Sequence, residues 1–490
     1  MTTADDTPLL TALAIAAQRQ QAAFYAPGHK GGQGVSPQLR AVMGSAALRA
    51  DLPELPELDN LFAPTGPIRA AQDLAAQAFG AEETFFLANG STCGIEAAVL
   101  ATCAPGDQVL VPRHAHRSVL AALVLTGAQP IYLAPMQAER WDLAWGCTAA
   151  QVEQALITHP GVRVVVVVSP SYHGVCSDVA AIARCVHAHG GLLLVDEAHG
   201  AHLGFHDQLP PGAIAGGADV VIQSTHKVLS ALTQASMLHV QGPRVDRDRL
   251  RQALQLTQST SPNYLLLASL DAARHQMATM GIDLMARTLD LAQSVRSRLT
   301  ALAPLGVLSP AHLAPAAGNF SLDVTRLVVD VAPLGITGFA ADEQLHGAGG
   351  VTAELPTLRQ LAFILTLGNP MADGDRLVTA LAALVAQADS PAVAPTAALP
   401  PQAPPPALSV PPLTPRAAFF APQQAVELAA AIGRICATPI CPYPPGIPVL
   451  LPGELITAEA IATLQRLHQA GSVITGLGET TPPTVRVVQV

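Results

Sequence analysis

The sequence predicts an α/β protein: a large domain with a mostly parallel, helix-covered sheet, joined to smaller α+β domains. Three observations carry that expectation. Short, uniformly apolar β-rich runs alternate with Ala-rich helical stretches between about residues 80 and 240, and runs without polar alternation are strands buried on both faces. Residues suited to chemistry fall at the carboxyl ends of these runs, where open α/β sheets bind ligands. A Pro-rich stretch then sets off a compact tail.

In order, the strand candidates are TFFLA (84–88), QVLVP (108–112), QPIYLA (129–134), VRVVVVVS (162–169), GLLLVD (191–196) and DVVIQS (219–224). STCGIEAAVLATCA (91–104) and DVAAIARCVHAHG (178–190) read as helices between them, the second ended by a Gly pair. A long helix over about 265–300 leaves this domain. Residues 391–415 hold 10 prolines in 25 positions, which makes an extended, semi-rigid linker rather than a packed element. The expected organisation is an N-terminal segment (1–60), a large domain (61–295), a small α+β domain (296–390), the linker (391–415) and a C-terminal domain (416–490).

A formal net charge of −10 and a pI near 5.9 argue against nucleic acid or an anionic membrane as partner. They tolerate a cationic small-molecule substrate. The longest apolar runs fall well short of the roughly 18 residues that a membrane span needs. Acids stand near the N-terminus where a secretion signal needs bases, so a cytoplasmic location is expected. Seven cysteines, odd in number and without a C-x-x-C pair, read as reduced thiols.

Among 26 basic residues only Lys30 and Lys227 are lysines. An Arg-biased chain that keeps an amine does so by chance or because a guanidinium can neither form a Schiff base nor deprotonate. GLLLVDEAHGAH (191–202) resembles the metal-holding strand end of a helicase, but no G-x-x-x-x-G-K-[ST] phosphate loop exists in the chain. Asp196 therefore serves something other than a nucleotide hydrolase. His-rich spots (114–116, 187–189, 199–202) lack Cys partners and an H-E-x-x-H pattern, so no metal site is expected.

LANGSTCGIEAA (87–98) is a strand, a Gly turn, two hydroxyls and a helix. Helix-start amides with Ser91 and Thr92 suit a phosphate, although both could be ordinary N-caps. Asp196 ends one strand and Lys227 follows the next. An acid and an amine on neighbouring strand tips suit a pyridine aldehyde cofactor, the acid keeping the ring nitrogen protonated. For Asp196 alone, a helix cap or an ion pair is the alternative. His116 opens a helix, where it either stacks on a cofactor ring or caps its own turn.

The motifs YAPGHKGG (25–32), ELPELDNLFAPTGPI (54–68), FFLANGST (85–92), HRS (116–118), SPSYHGVCSDV (169–179), VDEAHGAHLGFH (195–206), QSTHKVLSALTQAS (223–236), STSPNYLLLASLD (259–271) and YPPGIPVLLPGE (443–454) span nearly the whole chain. Together they resemble the Orn/Lys/Arg decarboxylases, basic amino acid decarboxylases of the aspartate-aminotransferase-like fold (fold type I). The likeness is to the short form, without an N-terminal wing domain. It implies pyridoxal 5'-phosphate as cofactor, with Lys227 as the covalent attachment point, Asp196 as pyridinium partner and His116 as ring-stacking base. It further implies that Gly90, Ser91, Thr92 and Ser224 hold the phosphate, that Ala198 and His199 line the cofactor, and that His226 flanks the linkage. Thr260 and Ser261 would reach the phosphate of a neighbouring subunit in a homodimer or larger homo-oligomer. His199 stands where the inducible enzymes carry an aromatic residue, and the Pro-rich linker is a further departure.

The implied reaction is decarboxylation of a basic L-amino acid to a diamine or agmatine, with lysine favoured and arginine or ornithine next. A cationic side chain entering a partly dry pocket needs a carboxylate, for which Glu454 and Glu354 are the candidates. The alternatives are an aminotransferase or C–C lyase on the same fold, with Arg326 or Arg359 for the substrate carboxylate, and a non-catalytic binding protein.

Overall fold

The computed structural model describes residues 6–138, 141, 143–316, 319–388, 408–443, 448–469, 472–478, 480 and 482–489. Compactness divides the chain into two units, Met1–Thr102 with Leu194–Met285, and Cys103–Leu193 with Ala286–Val490.

In the first unit, the strands run in the order Glu83–Leu87, Ser236–Val240, Val220–Gln223 and then Leu192–Asp196, of which Leu194–Asp196 belong to this unit. The last two are parallel, with Asp196 opposite Ile222. Their all-apolar runs are buried throughout, as expected of strands covered on both faces. Ser236–Val240 was not expected as a strand. It lies antiparallel between its two neighbours, and its His239 breaks the apolar pattern that identifies the others. The chain enters this unit through helix Pro8–Ala16, whose Leu9 and Leu13 pack with Ile68, Tyr264 and Leu267.

In the second unit, Val162–Val168, Gln108–Pro112 and Gln129–Leu133 are parallel neighbours, and Leu408–Ser409 adds an antiparallel edge strand. Most of the Pro-rich stretch, 391–407, lies outside the described residues, while Thr414 at its end caps helix Pro415–Phe420. A smaller antiparallel sheet (Gly306–Val307, Arg326–Asp330, Gln360–Ile364, Leu355–Pro356) packs Leu327, Val329 and Leu361 against Leu291 and Val295 of the long helix and Leu381 of helix Met371–Ala388. The tail builds its own core from Leu428, Ile456, Leu464 and Val487. The seven cysteines form no disulfide. Among the described residues no helix is long and apolar enough to cross a membrane.

Candidate active site

Strand Leu192–Asp196 places Asp196 at the same edge of the sheet as the segment that follows Val220–Gln223. Ser224 begins that segment, and Lys227 lies on the short helix Thr225–Val228, its N–H donating to the Ser224 carbonyl at 3.0 Å. Lys227 Nζ stands 3.0 Å from His199 Nε2. His199 sits in the tight turn after Asp196, whose Oδ1 accepts the Ala198 N–H at 3.1 Å. The rare amine, an imidazole and a buried carboxylate thus gather on two adjoining strand ends.

The phosphate candidates converge in the same unit. Helix Gly90–Thr102 starts at Gly90, whose φ of 76° suits glycine. Gly94 serves a different purpose: a Cβ there would lie 2.6 Å from Leu87 Cδ1 and 3.1 Å from Ile222 Cγ2, so glycine lets this helix approach its strands without displacing those side chains. The Ser224 hydroxyl donates to Ser91 Oγ at 2.8 Å rather than capping its own helix. Thr92 is exposed at the same helix start. The buried Thr225 hydroxyl has no hydrogen-bond partner among the described residues. Sequence reasoning missed Thr225, although its place between Ser224 and Lys227 was a signal.

His226 is half-buried. Its Nδ1 lies 3.0 Å from the Ala235 carbonyl, and its own N–H donates to the same oxygen at 3.2 Å. Burial, with the charge of Lys227 adding to it, pushes its pKa below the usual histidine range even against that bond. Thr260 and Ser261 are exposed in the turn before the long helix, and the neighbouring Ser259 N–H donates to Asn89 Oδ1 at 3.2 Å, beside Gly90. Lys30, the other lysine, gives its amine to the Tyr25 carbonyl of its own loop.

The remaining candidates belong to the second unit. His116 caps helix Arg117–Thr126, its Nδ1 accepting the Ser118 N–H at 3.2 Å. Glu454 is bound by both terminal nitrogens of Arg113, and its Oε2 also accepts the Leu451 N–H at 3.0 Å. The Arg113 guanidinium in turn lies 5.7 Å from the Tyr132 ring centre. Glu354 is exposed, its N–H paired with the Ala362 carbonyl. Arg359 pairs with Asp330 at 2.9 Å, and buried Arg326 lies 3.7 Å from Asp323.

As a donor set, the first unit fits a phosphorylated pyridine aldehyde. Helix-start amides and two convergent hydroxyls suit the phosphate. A buried carboxylate suits a protonated ring nitrogen, and a lysine amine suits the aldehyde. The orphaned Thr225 hydroxyl adds an unsatisfied buried donor at that edge.

Comparison with known proteins bears on this set. The model of the Orn/Lys/Arg decarboxylase major domain matches residues 7–366, and that of the family's C-terminal domain matches 408–479. An arginine decarboxylase of Bacillus subtilis (strain 168) is 39% identical over 486 residues, 99% of this chain and 98% of that protein. A lysine decarboxylase of Pseudomonas aeruginosa is 33% identical over 321 residues, 60% of this chain and 43% of that one. The solved structure of lysine decarboxylase A from Pseudomonas aeruginosa superposes with a TM-score of 0.84 at 25% identity, covering 98% of this chain and 80% of that one. The fold is aspartate-aminotransferase-like (fold type I): a Sphingomonas wittichii serine palmitoyltransferase shares it at 14% identity, with a TM-score of 0.52 over 66% of this chain and 77% of its own.

Proposed function

The chain belongs to the Orn/Lys/Arg decarboxylase family, whose cofactor is pyridoxal 5'-phosphate, and we propose that it decarboxylates a basic L-amino acid. The observation that carries this reading is the placement of Lys227, one of two lysines, at the sheet edge that also holds Asp196. The motif resemblance alone favours lysine as substrate. Three relatives named arginine decarboxylase, 36–39% identical over at least 99% of this chain, shift the preference to arginine.

When bound, the cofactor supplies the electron sink that loss of a carboxylate requires. The protein supplies position and charge. Ser91, Ser224 and the helix-start amides would hold the phosphate end. Asp196, a buried carboxylate, would keep a proton on the ring nitrogen. Lys227 would provide the attachment point, and His199, whose Nε2 lies 3.0 Å from Nζ, is placed to hold or take a proton at that amine. His226, held through Nδ1, would flank the linkage, and the family resemblance assigns the ring-stacking role to His116. The candidates for reading the cationic side chain are Glu354 and Glu454; Glu354 is the less committed, because Arg113 already occupies both Glu454 oxygens.

Offering arginine, lysine and ornithine with cofactor and identifying the amine formed tests the reading. Agmatine with stoichiometric CO₂ is expected. Glutamate formed from 2-oxoglutarate without CO₂ would replace decarboxylation by transamination. Replacing Glu354 or Glu454 by Gln is expected, for the one that reads the substrate, to raise KM about tenfold or more at unchanged cofactor affinity. An unchanged KM removes that residue from the pocket.

We further propose a homodimer in which Thr260 and Ser261 reach the partner's phosphate, in keeping with their exposure. Thr260→Ala should weaken cofactor retention and leave the fold intact. A fully active monomer in light scattering at assay concentration refutes it.

A further inference from the structure

Glu197, the second letter of DEAH, is 2% exposed and takes no part in the chemistry above. All its polar groups are engaged. Its N–H donates to the Ile222 carbonyl and its carbonyl accepts from Gly200, each at 2.9 Å. Its Oε1 accepts the Ala213 N–H and its Oε2 accepts the Gln223 side-chain amide, each at 2.7 Å.

The chain of bonds continues across the sheet. Gln223 Oε1 lies 3.0 Å from His239 Nε2, and His239 Nδ1 lies 2.8 Å from Thr84 Oγ1. Burial holds the His239 pKa down to about 3, so the ring is neutral. With one proton and a carbonyl oxygen facing Nε2, that nitrogen donates and Nδ1 accepts the Thr84 hydroxyl. Every donor therefore points toward Glu197, along a line that crosses three strands and ends just past a fourth. Burial, more than neighbouring Asp196, pushes the Glu197 carboxyl up to about 8. An apolar replacement would avoid that desolvation, so the network has a use beyond filling space.

The use lies in what the two ends adjoin. Glu197 stands between Asp196 and the turn carrying His199. Gln223 immediately precedes Ser224 and the helix of Lys227. We propose that the Glu197–Gln223 side-chain bridge is a positioning device that sets the spacing of the Asp196–His199 segment from the Ser224–Lys227 segment. The proposal rests on the cofactor reading above. It makes both residues positioning residues, acting through Asp196, His199 and Lys227 without touching substrate.

The test separates geometry from charge. Gln223→Leu cuts the bridge. The double swap Glu197→Gln with Gln223→Glu restores it, since the new amide at 197 donates to the carboxylate at 223, which still accepts from His239. The readouts are the visible circular dichroism of bound cofactor, its release rate, and kcat against KM. For Gln223→Leu, a collapsed cofactor ellipticity and kcat lower by on the order of a hundredfold at nearly constant KM are expected. The swap should return ellipticity and kcat to within about threefold of the wild type. Wild-type ellipticity in Gln223→Leu, or a folded swap that stays as impaired as Gln223→Leu, overturns the proposal. Should Gln223→Leu fail to fold, the swap decides alone. Wild-type protein that binds no cofactor would instead overturn the functional reading.

Discussion

Lys227→Arg is expected to leave the chain folded, charged and able to take up pyridoxal phosphate weakly, yet to lower turnover by roughly a thousandfold or more. Arginine keeps the positive charge near His199, so the electrostatics of the strand ends change little. It cannot give up a proton at working pH or bond covalently to an aldehyde. Borohydride reduction followed by peptide mapping reads the result. Cofactor should be fixed on the peptide containing Lys227 in the wild type and on none in the variant. Lys30→Arg is the control and should keep the fixation, because Lys30 gives its amine to the Tyr25 carbonyl of its own loop. Cofactor fixed at Lys30, or turnover surviving Lys227→Arg, would remove Lys227 from the chemistry and reopen the role of Asp196.

Asp271→Asn is expected to destabilise the first unit by about 3–5 kcal/mol. Asp271 and Arg274 are ion-paired within the long helix, and both are fully buried. The same carboxylate accepts the Leu9 and Leu10 N–H groups at 2.9 and 3.2 Å, capping the first turn of helix Pro8–Ala16. Arg274 also reaches the Asp6 carbonyl at 2.8 Å. An amide of the same shape leaves a buried guanidinium uncompensated and weakens the cap, so two costs fall on one substitution. The urea midpoint should drop, and protease should cut the N-terminal segment at lower urea than in the wild type. An unchanged midpoint would show that the pair contributes nothing net.

The strand ends were legible because their signal is local. Buried parallel strands read as unbroken apolar runs, and chemistry gathers at their carboxyl ends. The runs at 108–112, 129–134, 162–169, 191–196 and 219–224 match strands to within one residue at each end. Glycine before a helix and the scarcity of lysine were equally visible, and they led to Gly90 and Lys227. Ser236–Val240 escaped because His239 interrupts its apolar pattern, and its burial is explained only by Gln223 and Thr84 on the strands beside it.

By itself, then, the sequence determined the α/β class, the order of the parallel strands along the chain, the acid and the amine at two strand tips, and the family motifs. Each of these is written in residues near one another in the chain. Pairing across long separations was decided by the tertiary structure. Arg113 meets Glu454 across 341 positions, Ser224 meets Ser91 across 133, and Leu9 meets Asp271 across 262. A buried polar group must find a partner wherever the fold brings one. Neither spacing nor composition encodes which distant group that will be, so the bridge of Glu197 to Gln223 and the capture of Glu454 by Arg113 emerge only once the strands and loops are packed.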